Sequence, residues 1–426
     1  MRKKIVFLLA IIFTCIFSAR AEEITLTVDE AVALSLRNNR DVLLKAEDLK
    51  KAKAEINQAI ADIYPTFDFT ASRTYARGQY AKDLGASTTQ MTLKQYLYKG
   101  GEARNTIKKN EYEFAVAQAI LDKTKSDTVF SVKQAFYAFC LAEKYSSLNR
   151  GILDNSKARL KYMQARYQNG EASESEILKI KESVANVEEA YILSLSQLES
   201  AQGSLRNLLY LDEPLRIKPE FEFTYTPLDI AYEESFLRAL KNNPRIKQYE
   251  EQAKADQKAI EVAKAGSRPD IYASWDYYSR STTSLTFSPG KGWQDYNIVG
   301  VTFSWPIFDG WAAKAKVEQA VIDLRQTQLT KEKTAKDIAL ELKNAYLEFK
   351  DALAKLRGSA FEMLRYEDNF NLISQRYKKG LNSSLDLDDA SLSIKVAQFN
   401  KAQGAYDYLV AAAKFYKAMG ESPPFL

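Results

Sequence analysis

The chain has 426 residues, 60 of them basic, 55 acidic and none histidine. The absence of imidazole removes the commonest general base and the commonest metal ligand; Ser–His and Cys–His catalysis are excluded, and an enzyme would have to work with carboxylates, Lys or Tyr alone. The near balance of charge argues against a nucleic-acid groove, and no basic stripe is visible in the sequence.

The first residues, MRKKIVFLLAIIFTCIFSARA, read as a signal peptide over residues 1–21: Arg2, Lys3 and Lys4 precede an apolar run from Ile5 to Phe17, and Ala19-Arg20-Ala21 is a small-residue cleavage site. That run is too short to span a bilayer as a helix. Its removal takes four basic residues and no acid, so the net charge falls from +5 to about +1. Cys15 goes with it, and Ile12-Phe13-Thr14 before it make a poor lipoprotein box. Cys140 is then the one mature cysteine, which rules out an intrachain disulfide; in AFYAFCLA it reads as a small buried hydrophobe.

An amphipathic helix comes next, ending before Pro65 and expected to break at Asn38-Asn39, where asparagine lowers helix propensity. Two strand-like segments follow, about 66–81 and 87–98, rich in Thr, Tyr and Phe. Phe67, Phe69 and Ala71 share one face, Asp68, Thr70 and Ser72 the other. From Glu102 to Asn169 there is no proline and a single glycine, Gly151, which predicts one helix of roughly 100 Å. A turn and a shorter returning helix, about 173–209, complete a hairpin.

The same order then recurs. Asn242-Asn243 and Pro269 repeat Asn38-Asn39 and Pro65 at a spacing of 204, while Gly310 repeats Gly100 at a spacing of 210, so about six extra residues lie between Pro269 and Phe308. Strands are expected over about 270–283 and 294–307, with Val299, Val301, Phe303 and Trp305 on one face. A proline-free helix follows from Trp311 to Lys379, with a return over about 384–419. Ile338, Leu342, Ala345, Phe349, Ala352 and Leu356 form a heptad seam, matched by Val132, Ala135, Phe139 and Ala142. The domain reading is therefore a first repeat over 22–212 (strands about 66–98, hairpin about 101–210), then a linker and second repeat over 213–426 (strands about 270–307, hairpin about 310–420). The linker, 211–227, holds Pro214, Pro219 and Pro227.

The hairpin tips repeat as well. Arg166, Tyr167, Gly170 and Glu176 match Arg376, Tyr377, Gly380 and Asp386, each pair 210 apart. The glycines suit a left-handed turn residue. The arginines suit the negative end of a helix, and the acids suit the positive start of the next.

Four segments of bilayer-crossing length, bracketed by aromatics, suggest membrane β-strands. Such strands must close into a barrel. Four are too few, so several chains would have to pool them. A soluble β-sandwich capping a coiled coil stays open as the alternative.

Taken together, the paired Asn-Asn helix breaks, YLYKGG and WPIFDG at the strand-to-helix joins, and the paired Arg-Tyr-x-x-Gly tips resemble the TolC-like outer-membrane channels of bacterial efflux and type I secretion. The resemblance covers about 24–420. It implies a homotrimer forming a twelve-stranded barrel in outer-membrane lipid and a twelve-helix coiled-coil tunnel in the periplasm. It also implies partners, a periplasmic adaptor and an inner-membrane pump of RND or ABC type, and it implies no cofactor. Asp386 and Asp389 match two acids that ring the periplasmic entrance of such channels, where charged rings favour cations. Glu176 matches an acid of a closed-state lock whose partner is an arginine; Asn382 stands at that place here, so Arg376, Lys378 or Lys379 would have to supply the charge. Arg166, Tyr167, Gly170, Arg376, Tyr377 and Gly380 would shape the tip that an adaptor meets. A non-conducting trimeric envelope stalk is the competing function. A carboxylate-only hydrolase finds no dyad, since Asp388 and Asp389 lie about 100° apart on a helix.

Overall fold

The computed structural model describes residues 23–76, 84–212, 216–223, 228, 231–281 and 292–421; the expected leader with Cys15, and Pro214 and Pro227, lie outside the described residues. Strand β1 (Glu23–Leu26) leads into helices α1 (Val28–Asn38) and α2 (Arg40–Ala61). Strands β2 (Thr66–Ala76) and β3 (Leu84–Lys99) follow, then helices α3 (Glu102–Gln168) and α4 (Glu174–Leu209). After β4 (Arg216–Pro219) the same series runs again: α5 (Tyr232–Asn242), α6 (Pro244–Ala265), β5 (Asp270–Ser281), β6 (Trp293–Ser304), α7 (Ala312–Lys378) and α8 (Ser384–Met419).

The leading helices break at the asparagines, for a more specific reason than low propensity. Asn39 is buried, its backbone leaves the helix at ψ 123°, and its Oδ1 accepts the N–H groups of Asp41 at 2.9 Å and Val42 at 3.2 Å. Asn243 accepts from the Arg245 N–H at 3.0 Å, with Pro244 as the first helical residue. In each copy the second asparagine ends one helix and caps the next, satisfying donors that a new helix start would leave orphaned.

The four longer strands form one antiparallel sheet in the order β2-β3-β5-β6. Its two hairpins share one register. Thr66 opposite Lys94 recurs as Asp270 opposite Ser304, and Ala76 opposite Leu84 recurs as Arg280 opposite Gln294. The length difference between the copies therefore falls between Arg280 and Gln294. Strand β3 bulges between Tyr96 and Tyr98, and β6 stops at Ser304, ahead of Pro306, which has no N–H to offer a ladder.

Among the described residues, two compact units arise from contacts within the chain: one lies within 23–43, 125–236 and 341–421, the other within 44–124 and 237–340. In the first, the expected seam is buried at Leu342, Ala345, Phe349, Ala352 and Leu356. In α3, Val132 and Phe139 are buried but Ala135 and Ala142 only half so. There Phe136, Tyr137 and Cys140 fill the core instead, because α3 is covered on more than one side. The described residues of the stretch read as a linker include a strand. Its β4 pairs in parallel with β1 from Glu23–Arg216 to Leu26–Pro219, and Phe221 lies 5.2 Å from the Tyr137 ring and 6.1 Å from Phe136. Strands of four residues carry no periodic signal, so neither was visible in the sequence.

Candidate functional site

The hairpin tips are built twice by one set of backbone bonds. At the first, the Gly170 N–H donates to the Tyr167 carbonyl and the Glu171 N–H to the Arg166 carbonyl, each at 2.9 Å. At the second, Gly380 donates to Tyr377 and Leu381 to Arg376 at the same distances. The glycines have φ +78° and +72°. This pairing is the Schellman closure of a helix end, which requires a left-handed residue. The repeated Arg-Tyr-x-x-Gly skeleton is thus the backbone recipe of the tip: Arg and Tyr supply the accepting carbonyls and Gly supplies the reversal. Both tyrosine side chains are left exposed.

The acids that follow occupy equivalent places, although the sequence reading gave them different roles. Ser173 and Ser383 are N-caps, and Glu176 and Asp386 are the third residues of the helices they start. Glu176 Oε2 accepts from the Ser173 N–H at 2.7 Å, and Asp386 Oδ2 from the Ser383 N–H at 2.8 Å. Each serine hydroxyl in turn accepts from the N–H of its acid, at 3.3 and 3.2 Å. These are capping boxes. The cap N–H, and then the serine side chain, hold both carboxyls below their ordinary range. The second oxygen of each carboxylate has no hydrogen bond among the described residues. The serines were missed in the sequence, though Ser-x-x-Glu and Ser-x-x-Asp before apolar runs carry the signal.

Asn382 reaches toward Asp386, Nδ2 to Oδ2 at 3.4 Å. Asp389 is exposed, one turn further along α8. Arg166 turns back on its own tip, with Nε 3.4 Å from Glu171 Oε2 and Nη2 3.2 Å from the Glu171 carbonyl, and its charge contributes a minor part to the lowering of Glu176. The side chains of Arg376, Lys378 and Lys379 form no ion pair among the described residues.

In the other unit the sheet separates its faces. Phe67, Phe69, Val299, Val301 and Phe303 lie on one side and are exposed. On the other side Thr92 Oγ1 donates to Asp276 Oδ1 at 2.6 Å, and Gln90 Nε2 donates to the Tyr278 hydroxyl at 2.9 Å and to Asp276 Oδ1 at 3.2 Å. Strands β2 and β6 each pair on one side only among the described residues. No helix of the described residues is long and apolar enough to cross a membrane. One face of the sheet is an exposed apolar surface.

The family model for outer membrane efflux proteins matches residues 31–209 and 237–421, one stretch for each run of helices, strands and hairpin. The chain belongs to the outer membrane efflux protein family. Among its relatives are the probable efflux pump outer membrane protein TtgC of Pseudomonas putida, 22% identical over 92% of this chain and 82% of TtgC, and the probable outer membrane lipoprotein SilC of Salmonella typhimurium, 23% identical over 92% of this chain and 85% of SilC. Among solved structures, the CmeC outer membrane channel of Campylobacter jejuni shares the fold with a TM-score of 0.77 at 17% identity, covering 92% of this chain and 85% of CmeC. This efflux protein therefore has the mainly helical fold with a smaller sheet that such channels have.

Proposed function

We propose that this protein is the outer-membrane exit duct of a tripartite efflux or type I secretion system. Three copies pool four strands each into a twelve-stranded barrel, and their hairpins form a twelve-helix tunnel in the periplasm. One observation carries the reading: a four-stranded sheet with an exposed apolar face, a hydrogen-bonded polar face and two edges that pair with no further strand among the described residues. Such a sheet satisfies its backbone in lipid only by closing on further copies. The polar face then lines the lumen, and the apolar face meets lipid.

The duct is passive, and a periplasmic adaptor and an inner-membrane pump open it at the tips. Asp386 and Asp389 form the entrance ring. Asp386 shares its carboxylate with its own N-cap, so Asp389 is the acid whose charge is wholly available to the pore. Glu176 is committed in the same way to Ser173, and a closed-state lock through it would use its second oxygen. Arg166, Tyr167, Gly170, Arg376, Tyr377 and Gly380 shape the surface the adaptor meets. The deciding experiment is the mass of the detergent-solubilised protein together with its conductance in a planar bilayer. A conducting trimer is expected, and a monomer or a non-conducting oligomer overturns the duct.

A further inference from the structure

A groove of about 490 Å³ lies in the first unit between α3, α8 and the stretch that follows β4. Leu148 and Ala402 are buried at its floor, and the half-buried rings of Phe223 and Phe399 line it. Both rings are backed by others. Phe223 lies edge-on to Phe221 at 5.1 Å, and Phe221 packs in turn on Tyr137. Phe399 lies 5.2 Å from the Tyr145 ring. The apolar part of the groove is therefore held in place by the core behind it.

Its charge is one-sided. Lys144 of α3 and Lys395 and Lys401 of α8 line the groove against a single acid, Glu222. None of the three forms an ion pair among the described residues. Other lysines of the same unit do pair: Lys157 with Glu188 at 3.1 Å, Lys414 with Glu348 at 2.6 Å and Lys417 with Asp127 at 2.8 Å. Lys395 also lies across α3. A Cβ at Gly151 would stand 3.1 Å from its Nζ and 3.5 Å from its Cδ. Glycine disfavours a helix interior, yet the one glycine of α3 stands where this side chain needs the room. Gly151 and Lys144 are two turns apart, so positive charge is spread along about 10 Å of the groove.

We propose that this groove is a binding site for a small organic anion with a flat apolar body. Three ammonium groups against one carboxylate leave an excess of positive charge with no acceptor of its own, and each ammonium offers donors to acid oxygens. The buried floor and the two rings take the apolar body. A neutral ligand would leave the lysines without an acceptor, and a bare inorganic anion would leave the floor and rings uncovered. The lining comes from both repeats, so a bound anion ties the long helix of the first hairpin to the returning helix of the second. It should therefore stabilise their packing. The inference goes beyond the duct and does not depend on it.

The test is calorimetric titration of the full-length solubilised protein with naphthalenesulfonate, with naphthol as the neutral counterpart, inorganic sulfate as the bare anion and detergent alone as the blank. The sulfonate is expected to bind, and naphthol and sulfate to bind roughly ten-fold more weakly or not at all. Lys395→Gln and Lys401→Gln should each weaken the sulfonate roughly five-fold, while Lys108→Gln, outside the groove, should leave it unchanged. The sulfonate should also raise the unfolding temperature of the native protein. That rise should vanish in the variant carrying both Lys395→Gln and Lys401→Gln, whose unfolding without ligand is measured to show that it folds. No binding, binding unchanged in that folded double variant, or equal binding of naphthol or sulfate overturns the site. Each of these results leaves the duct to its own test of mass and conductance.

Discussion

At the residue scale, the tip acids act first on their own helices. Ser383→Ala removes an N-cap and is expected to cost about 1 kcal/mol, read as faster amide exchange in the first turn of α8. Acid should act at the same place. Because the folded carboxyls of Glu176 and Asp386 lie below their unfolded values, the stability they contribute is complete above about pH 5. It is lost as the pH falls below that, toward the folded values. Protection of the tip amides, measured against an unfolded chain at the same pH, should therefore fall in acid before that of the buried seam, and tips that lose protection together with the seam would contradict the capping role. Cys140 presents the reverse case. Burial pushes its thiol up to about 12, and the thiolate is the reactive form. The folded protein should resist a maleimide at pH 8 and react once unfolded. Labelling of the native protein would show that the core opens there.

At the element scale, glycines of the same φ sign differ in what surrounds them. Gly170→Ala meets no neighbour and should cost only the left-handed strain, ~1–2 kcal/mol. Gly100→Ala adds the same strain and also drives a methyl into the Ala265 carbonyl, so its loss in thermal stability should be clearly the larger. Equal losses would remove the close packing assigned to that join. Much at this scale was legible beforehand. The long helices follow from proline-free stretches and the heptad step, and the strands from aromatic and β-branched alternation. The β1–β4 ribbon was not legible, because its pairing joins residues nearly two hundred positions apart and four residues set no period. The capping role of Asn39 and Asn243 was also unread: propensity marks where a helix weakens, whereas the cap depends on side-chain and backbone groups meeting in space.

At the scale of the whole molecule, charge at the proposed entrance ring is the property to vary. Asp389→Asn is expected to lower the preference of the bilayer conductance for cations over anions, with the fold unchanged. Asp386→Asn should lower it too while loosening the tip, and Asp386→Glu should restore the charge. An unchanged ion preference in Asp389→Asn would remove that residue from the ring.

By itself the sequence determined the order of elements, the matching hairpins, the exposed apolar strand face and the family, because these are written as local periodicity and as recurrence at fixed spacing. Only the tertiary structure decided which tip acids cap their own helices, which join is packed and which stands open, and which strands form the edges of the sheet among the described residues. Those are questions of distance between residues far apart in the chain, and periodicity carries no information about distance.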